Sequence, residues 1–145
     1  MKILAIDPGT TQSGWCILYD DRILGSGVMP NEDMRLFLKQ QDYDVLAIEM
    51  IASYGMPVGK EVFETCLWIG RFIELSSVKP ELIYRQDVKM VLCGSMKAKD
   101  PNIKQRIIDL MGEPGTKAAP GKTYGVKSHA WSALAVALTY QIKTT

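Results

Sequence analysis

The stretch from Ile3 to Trp15, ILAIDPGTTQSGW, constrains this chain more than any other part of it. Ile3, Leu4 and Ile6 read as a buried strand, and that strand ends on an acid, Asp7. Pro8 and Gly9 force a tight turn directly after it. Thr10 and Thr11 follow with hydroxyls and backbone N–H groups, and Gly14, Trp15, Ile17 and Leu18 start a second strand. A carboxylate at the rim of a buried strand is held rigidly, and a glycine turn beside it admits a phosphate or a substrate backbone closely. Turn chemistry alone would account for an isolated D-P-G, with Asp7 merely capping the turn. The other acids decide between these readings.

The remainder of the chain builds an α/β pattern around that opening. Residues 13–19 and 22–29 read as a hairpin joined at Asp20–Asp21, with Gly25 and Gly27 loosening the second arm. Asn31 suits the N-cap of a short helix from Glu32 to Gln40, with Met34, Phe37 and Leu38 on one face. Val45 to Met50 is a short buried strand that also carries an acid near its end, Glu49. Residues 51–59 form a loop, and a long helix runs from Lys60 to Ser77 with apolar positions on more than one face. That leaves apolar surface on it for a partner subunit as well as the core. A strand from Glu81 to Tyr84, a helix from Asp87 to Cys93, a basic turn and an amphipathic helix from Pro101 to Met111 follow. Residues 112–127 hold four glycines, two prolines and three lysines and suit a mobile loop. Ser128 then caps a last helix rich in small apolar residues.

The order β-β-β-α-β-α-β-α-α-α predicts a mixed five-stranded sheet flanked by helices, the ribonuclease-H-like arrangement, in which strands one and four are neighbours. Asp7 and Glu49 would then lie side by side at one edge. The 145 residues, nearly half of them apolar, suit one globular domain spanning 1–145. No apolar run has the length of a membrane span, and Met1–Lys2 leads straight into the first strand without a secretory segment. Cys16, Cys66 and Cys93 are far apart and read as buried thiols of a cytoplasmic protein, since a metal site would want closer spacing.

Net charge is only +1, but it is unevenly spread. Residues 1–49 carry four basic and eight acidic side chains, whereas residues 85–127 carry nine basic and four acidic ones. An acidic half beside a basic half suits a cation-dependent enzyme acting on a polyanion. Two carboxylates on adjacent strands are a natural seat for Mg²⁺ or Mn²⁺, which take oxygen ligands and keep waters. With two ions, one activates water while the other stabilises the leaving oxygen. His129, the only histidine, lies at the start of the last helix directly after the basic loop, with Ser132 at i+3. A lone histidine is ordinarily structural; this position points instead to a ligand.

With these residues in view, the chain resembles the RuvC-type Holliday junction resolvases. Those open with a strand, D-P-G-[ST], a few residues and G-[WY], as ILAIDPGTTQSGW does. The resemblance continues through LAIEM, through Arg71 and Glu74 on the long helix, through RQDVK with its basic turn and helix, and into the last helix. It covers nearly the whole chain, which is short for the family and more similar to a bacteriophage member. The resemblance implies a homodimeric, Mg²⁺- or Mn²⁺-dependent endonuclease, with two ions per site, that nicks branched DNA symmetrically in a bacterial host cell. It would leave 5′-phosphate and 3′-hydroxyl ends. Asp7 would bridge both ions, Glu49 would hold one, His129 would stand where the family has Asp or His, and the helix from Lys60 would form the dimer interface. One departure matters: Ser132 occupies the place of the family's final acid. A hydroxyl is a poorer ligand than a carboxylate, so the second ion would be held more weakly or with water.

Lys97, Lys99 and Lys104 lie before and within an amphipathic helix, placed to meet phosphates without reading bases. Lys97 is also a candidate to stabilise charge at the scissile phosphate. Thr10, Arg85, Lys89, Lys122 and Lys127 are further candidate DNA contacts, and Tyr54 is a candidate to stack on an unpaired base. Trp131 reads as core. Two alternatives remain: a branched-DNA-binding protein that has lost cleavage, suggested by Ser132, and an actin-like ATPase, whose opening D-x-G-T-T is also satisfied here.

Overall fold

The computed structural model describes all 145 residues. Strands β1 (Lys2–Asp7), β2 (Gln12–Tyr19) and β3 (Arg22–Pro30) form an antiparallel meander. Helix α1 (Asn31–Gln40) leads to β4 (Val45–Met50), and α2 (Lys60–Leu75) leads to β5 (Pro80–Tyr84). A short α3 (Arg85–Val88) continues into a π-helical turn over Lys89–Cys93, followed by α4 (Asp100–Met111) and α5 (Ala130–Lys143). The sheet order is β3-β2-β1-β4-β5, with β1, β4 and β5 parallel. This is the ribonuclease-H-like mixed sheet that the element order predicts.

Helices cover both faces of the sheet, which is why its parallel strands read as near-continuous apolar runs. Ile3, Ala5, Val45 and Ala47 pack with α4 and α5, while Leu4, Ile6, Leu46 and Ile48 pack with α1 and α2. Alternate residues of one strand thus feed two cores. Ala130, Ala133, Ala135 and Ala137 are completely buried, and their small size lets α5 lie close along β1 and β2. No helix is long and apolar enough to cross a membrane.

Several local expectations are overturned by packing. Asn31 is not an N-cap; it is the first residue of α1, buried, with its side chain committed elsewhere. Ser128 does not cap α5 either, because its backbone sits in the left-handed region at φ 52° and His129 stands at the helix start. Helix α3 begins two residues early, at Arg85, because the Asp87 carboxylate accepts the Tyr84 N–H at 3.2 Å. Gly25 and Gly27 do not loosen β3. They form the flat floor on which the Trp15 ring lies, and a Cβ there would stand 3.1 and 3.2 Å from it. Cys16 is buried, which pushes its thiol up to about 12, but Cys66 and Cys93 are only half-buried.

Residues 112–127 are held by contacts of their own rather than forming an open loop. Gly115 and Pro120 form a β-bridge, and the buried Thr123 donates its hydroxyl to the Gly112 carbonyl at 3.0 Å. Lys122 pairs with Asp21 at 2.5 Å. Asp21 lies in the β2–β3 turn, at the end of the sheet opposite Asp7, since Lys2 pairs with Tyr19 and Asp7 with Gly14. At ~3.3 Å per residue the length of a strand separates Lys122 from the carboxylates, so it is not among the contacts near them.

Candidate active site

Three parallel strands end together at one edge, where open α/β sheets place their ligands. β1 ends in Asp7, β4 carries Glu49 beside it through the Ile6–Ile48 register, and β5 delivers Arg85 immediately after Tyr84. The sheet therefore fixes two carboxylates and one guanidinium side by side.

The turn that follows Asp7 is clamped. A Cβ on Gly9 would lie 2.3 Å from the Gln12 carbonyl oxygen, so the backbone closes only around glycine. Asn31 donates from Nδ2 to the Gly9 carbonyl at 2.9 Å and accepts the Ser13 hydroxyl at 2.6 Å. Its backbone N–H also donates to the Thr11 carbonyl at 2.9 Å. Buried polar groups are tolerable only when satisfied in this way. Asn31 is thus a positioning residue for the Asp7 turn. Local sequence hides this, because Asn at a helix start reads first as a cap.

His129 reaches Asp7 from the other side of the sheet. Its Nδ1 lies 3.2 Å from Asp7 Oδ2, and its ring is largely exposed. Gly14 makes this approach possible: a Cβ there would fall 2.4 Å from the His129 carbonyl oxygen. Gly14 also pairs with Asp7 across β1 and β2. The glycine of the opening motif therefore exists so that the start of α5 can sit on the strand opposite Asp7.

The electrostatics follow from this crowding. Burial raises the pKa of Asp7, opposed chiefly by His129 and then by Arg85. Burial, followed by the neighbouring Asp7 charge, pushes Glu49 up to about 7, while Arg85 pulls it down. A pair of half-buried acids that repel each other wants a cation. No three carboxylate, imidazole or thiol groups converge into a preformed cage. That suits a hydrated hard ion, since Mg²⁺ typically takes one or two carboxylates and completes its shell with water and substrate phosphate. The donor set therefore fits: oxygens from Asp7 and Glu49, with the His129 imidazole at hand.

Two clefts flank the pair, and Arg85 lines both. A small cleft of about 160 Å³ is walled by Asp7, Pro8, Glu49, Met50, Ile51, Ala52, Tyr54 and Arg85. A wider one of about 560 Å³ is walled by Arg85, Asp100, Pro101, Ile103, Lys104, Ile107, Ser128, His129, Trp131 and Ser132. Ser132 and His129 thus share a wall. Trp131, expected in the core, touches it yet also faces this cleft, where Lys104 Nζ lies 4.9 Å from its ring centre. Tyr54 stands at the small cleft with φ 50°. Thr10 lies in the Asp7 turn, and Lys127 is exposed two residues before His129. Lys97 is exposed in the turn before α4, its backbone N–H bonded to Ser95 Oγ at 3.1 Å, and it lines neither cleft. Lys99 immediately precedes α4, and Lys89 is half-buried in the π turn. The cation placed at the acids is Arg85.

Strand order and edge geometry define the ribonuclease-H-like fold in its RuvC form. The solved structure of Thermus thermophilus RuvC superposes with a TM-score of 0.76, at 20% identity, covering 99% of this chain and 95% of that one. T. thermophilus RuvC in complex with Holliday junction substrate gives 0.73 at 18% identity, over 99% and 94% of the two chains. No family model matches the sequence, and no curated protein matches it.

Proposed function

We propose that this chain is a divalent-metal-dependent endonuclease that resolves Holliday junctions or other branched DNA by paired nicking. The observation that carries the reading is the half-buried Asp7–Glu49 pair, with His129 Nδ1 at 3.2 Å from Asp7, on the edge of a RuvC fold. Asp7 and Glu49 would hold Mg²⁺ or Mn²⁺, with His129 and Ser132 completing a second position. Bound there, such ions would supply Lewis-acid activation of the phosphodiester and of the attacking water. Asp7 is kept in place by the Asn31 clamp, so its carboxylate needs little reorganisation. His129 is tethered to Asp7 through Nδ1, which leaves the Nε2 lone pair as the atom that would face an ion. Arg85 offers positive charge where the phosphate arrives, and Lys99, Lys104 and Lys127 meet flanking phosphates. Tyr54, exposed beside the small cleft, is placed to stack on an unpaired base.

A second copy of the chain is the proposed partner for α2. Phe63 and Leu67, one turn apart, are 61% and 62% exposed, and a two-fold pairing would match a two-fold junction. The proposed setting is the cytoplasm of a bacterial host cell. A second reading is favoured by Ser132 alone: a junction-binding protein without cleavage. One experiment separates the two. A mobile four-way junction and a linear duplex are incubated with Mg²⁺, Mn²⁺ or EDTA. Paired nicks confined to the junction and dependent on metal are expected. Tight junction binding with no cut in any metal would leave the binding protein, and neither binding nor cleavage would end both readings.

A further inference from the structure

Arg85 and Asp100 form an ion pair between the carboxylate edge and the wide cleft. The pair is lopsided. The Arg85 side chain is 25% exposed, while that of Asp100 is 79% exposed. A guanidinium held by the fold therefore faces a carboxylate already in water. An ion pair so open to solvent adds little stability, and a second anion of better geometry can take the place of Asp100 at small cost. A phosphodiester is such an anion, because the planar guanidinium can donate two parallel hydrogen bonds to it. Asp100 also stands at the first position of α4, where the helix dipole favours its charge with or without Arg85. Once displaced, it has a resting place of its own. Arg85 also offsets, from a fixed position, part of the negative charge of Asp7 and Glu49 that an arriving phosphate meets.

We propose that Arg85 seats the backbone phosphate at the Asp7–Glu49 edge and that Asp100 is its resting partner, displaced when DNA arrives. This deepens the nuclease reading and rests on it. Arg85 touches substrate; Asp100 acts through Arg85 and is a positioning residue. Nothing else in the fold requires the pair, since the Asp87–Tyr84 and Lys99–Asn102 backbone contacts already set the starts of α3 and α4.

The test is a double-mutant cycle on the full chain. Affinity for a four-way junction is measured in Ca²⁺, and cleavage in Mg²⁺, for the wild type, Asp100→Asn, Arg85→Gln, Arg85→Lys and the Arg85→Gln/Asp100→Asn double variant. Asp100→Asn is expected to tighten binding several-fold when Arg85 is present and to do nothing when it is Gln. Arg85→Gln is expected to slow cleavage by about a hundredfold or more, with a smaller loss of affinity, and Arg85→Lys to recover part of the rate. Asp100→Glu, which keeps the charge, should bind as the wild type does. Equal tightening by Asp100→Asn in both backgrounds would overturn the exchange, because Asp100 would then act as general negative charge. Lower melting temperature with unchanged affinity would overturn it too, making the pair a structural tie. A wild type that binds the junction but never cuts would refute the nuclease reading alone, since the affinity cycle still reads the Arg85–Asp100 exchange.

Discussion

The two ends of one sheet treat their acids in opposite ways. At the far end, Asp20, Asp21, Asp42 and Asp44 lie near the N-terminal amine, Lys122, the Lys2 ammonium and the Lys2 backbone N–H. These partners are exposed, and the Lys122 contact holds the Asp21 carboxyl below its ordinary range. At the near end, Asp7 and Glu49 are raised by burial and face each other, with Arg85 lowering both and His129 lowering Asp7. Strand geometry is the same at both ends; solvent is not. The far end satisfies its charges locally, whereas the near end keeps an unmet demand for a cation that a substrate-bound ion can fill. The number of acids says nothing about function here. Their burial does.

That contrast can be broken most sharply at Asp7. Asp7→Asn should reduce cleavage on the order of a thousandfold while leaving junction binding intact, and should raise the melting temperature of the metal-free protein. Asp21→Asn, at the far end, should change neither. If Asp7→Asn abolished binding instead, Asp7 would be a structural residue. Gly14→Ala comes next. The new Cβ would collide with the His129 backbone, so a loss of about 1–3 kcal/mol of stability and about a hundredfold in rate is expected from melting and single-turnover assays. A wild-type rate would show that the seat of His129 does not matter.

The third prediction concerns protons. Because the folded state raises Glu49 from 4.5 to about 7, it binds more protons than the unfolded chain within that window, and stability falls as pH rises through it. Melting of the metal-free protein should decline from pH 4.5 to 7, Glu49→Gln should flatten the decline, and Mg²⁺ should restore stability most at the upper end. A profile unchanged by Glu49→Gln would mean the acid is solvated. The smallest effects belong to the lysines. Lys99→Gln and Lys104→Gln should each lower the salt dependence of junction affinity by about one ion, and Lys122→Gln should leave it alone. A reduced slope for Lys122→Gln would bring DNA to the far end and erase the comparison.

Much of the candidate site is legible in the amino-acid sequence, and the reasons are specific. Asp7 and Glu49 each fall near the end of a short apolar run, and the element order makes those strands neighbours, so their juxtaposition follows from topology. His129 was legible because it begins the one small-residue helix, which must lie close on the central strands. Asn31 looks like a cap in the sequence because its actual role is set by Ser13 and Gly9, far off in the chain. Lys97 stands out in the sequence and Arg85 does not, because composition shows where cations are frequent and not which one the sheet edge presents.

The order and type of the elements, the sheet they build and the meeting of its two half-buried acids all follow from the amino-acid pattern. Hydrophobic period and turn chemistry are local signals, and parallel strands buried on both faces leave few ways to connect them. That Asn31 clamps the Asp7 turn, that Gly14 admits His129, that Arg85 stands between the two clefts and that Lys122 belongs to the opposite end all follow from packing. Each depends on how closely two distant stretches of backbone approach. That distance is set by the packing of the whole core, and no local pattern encodes it.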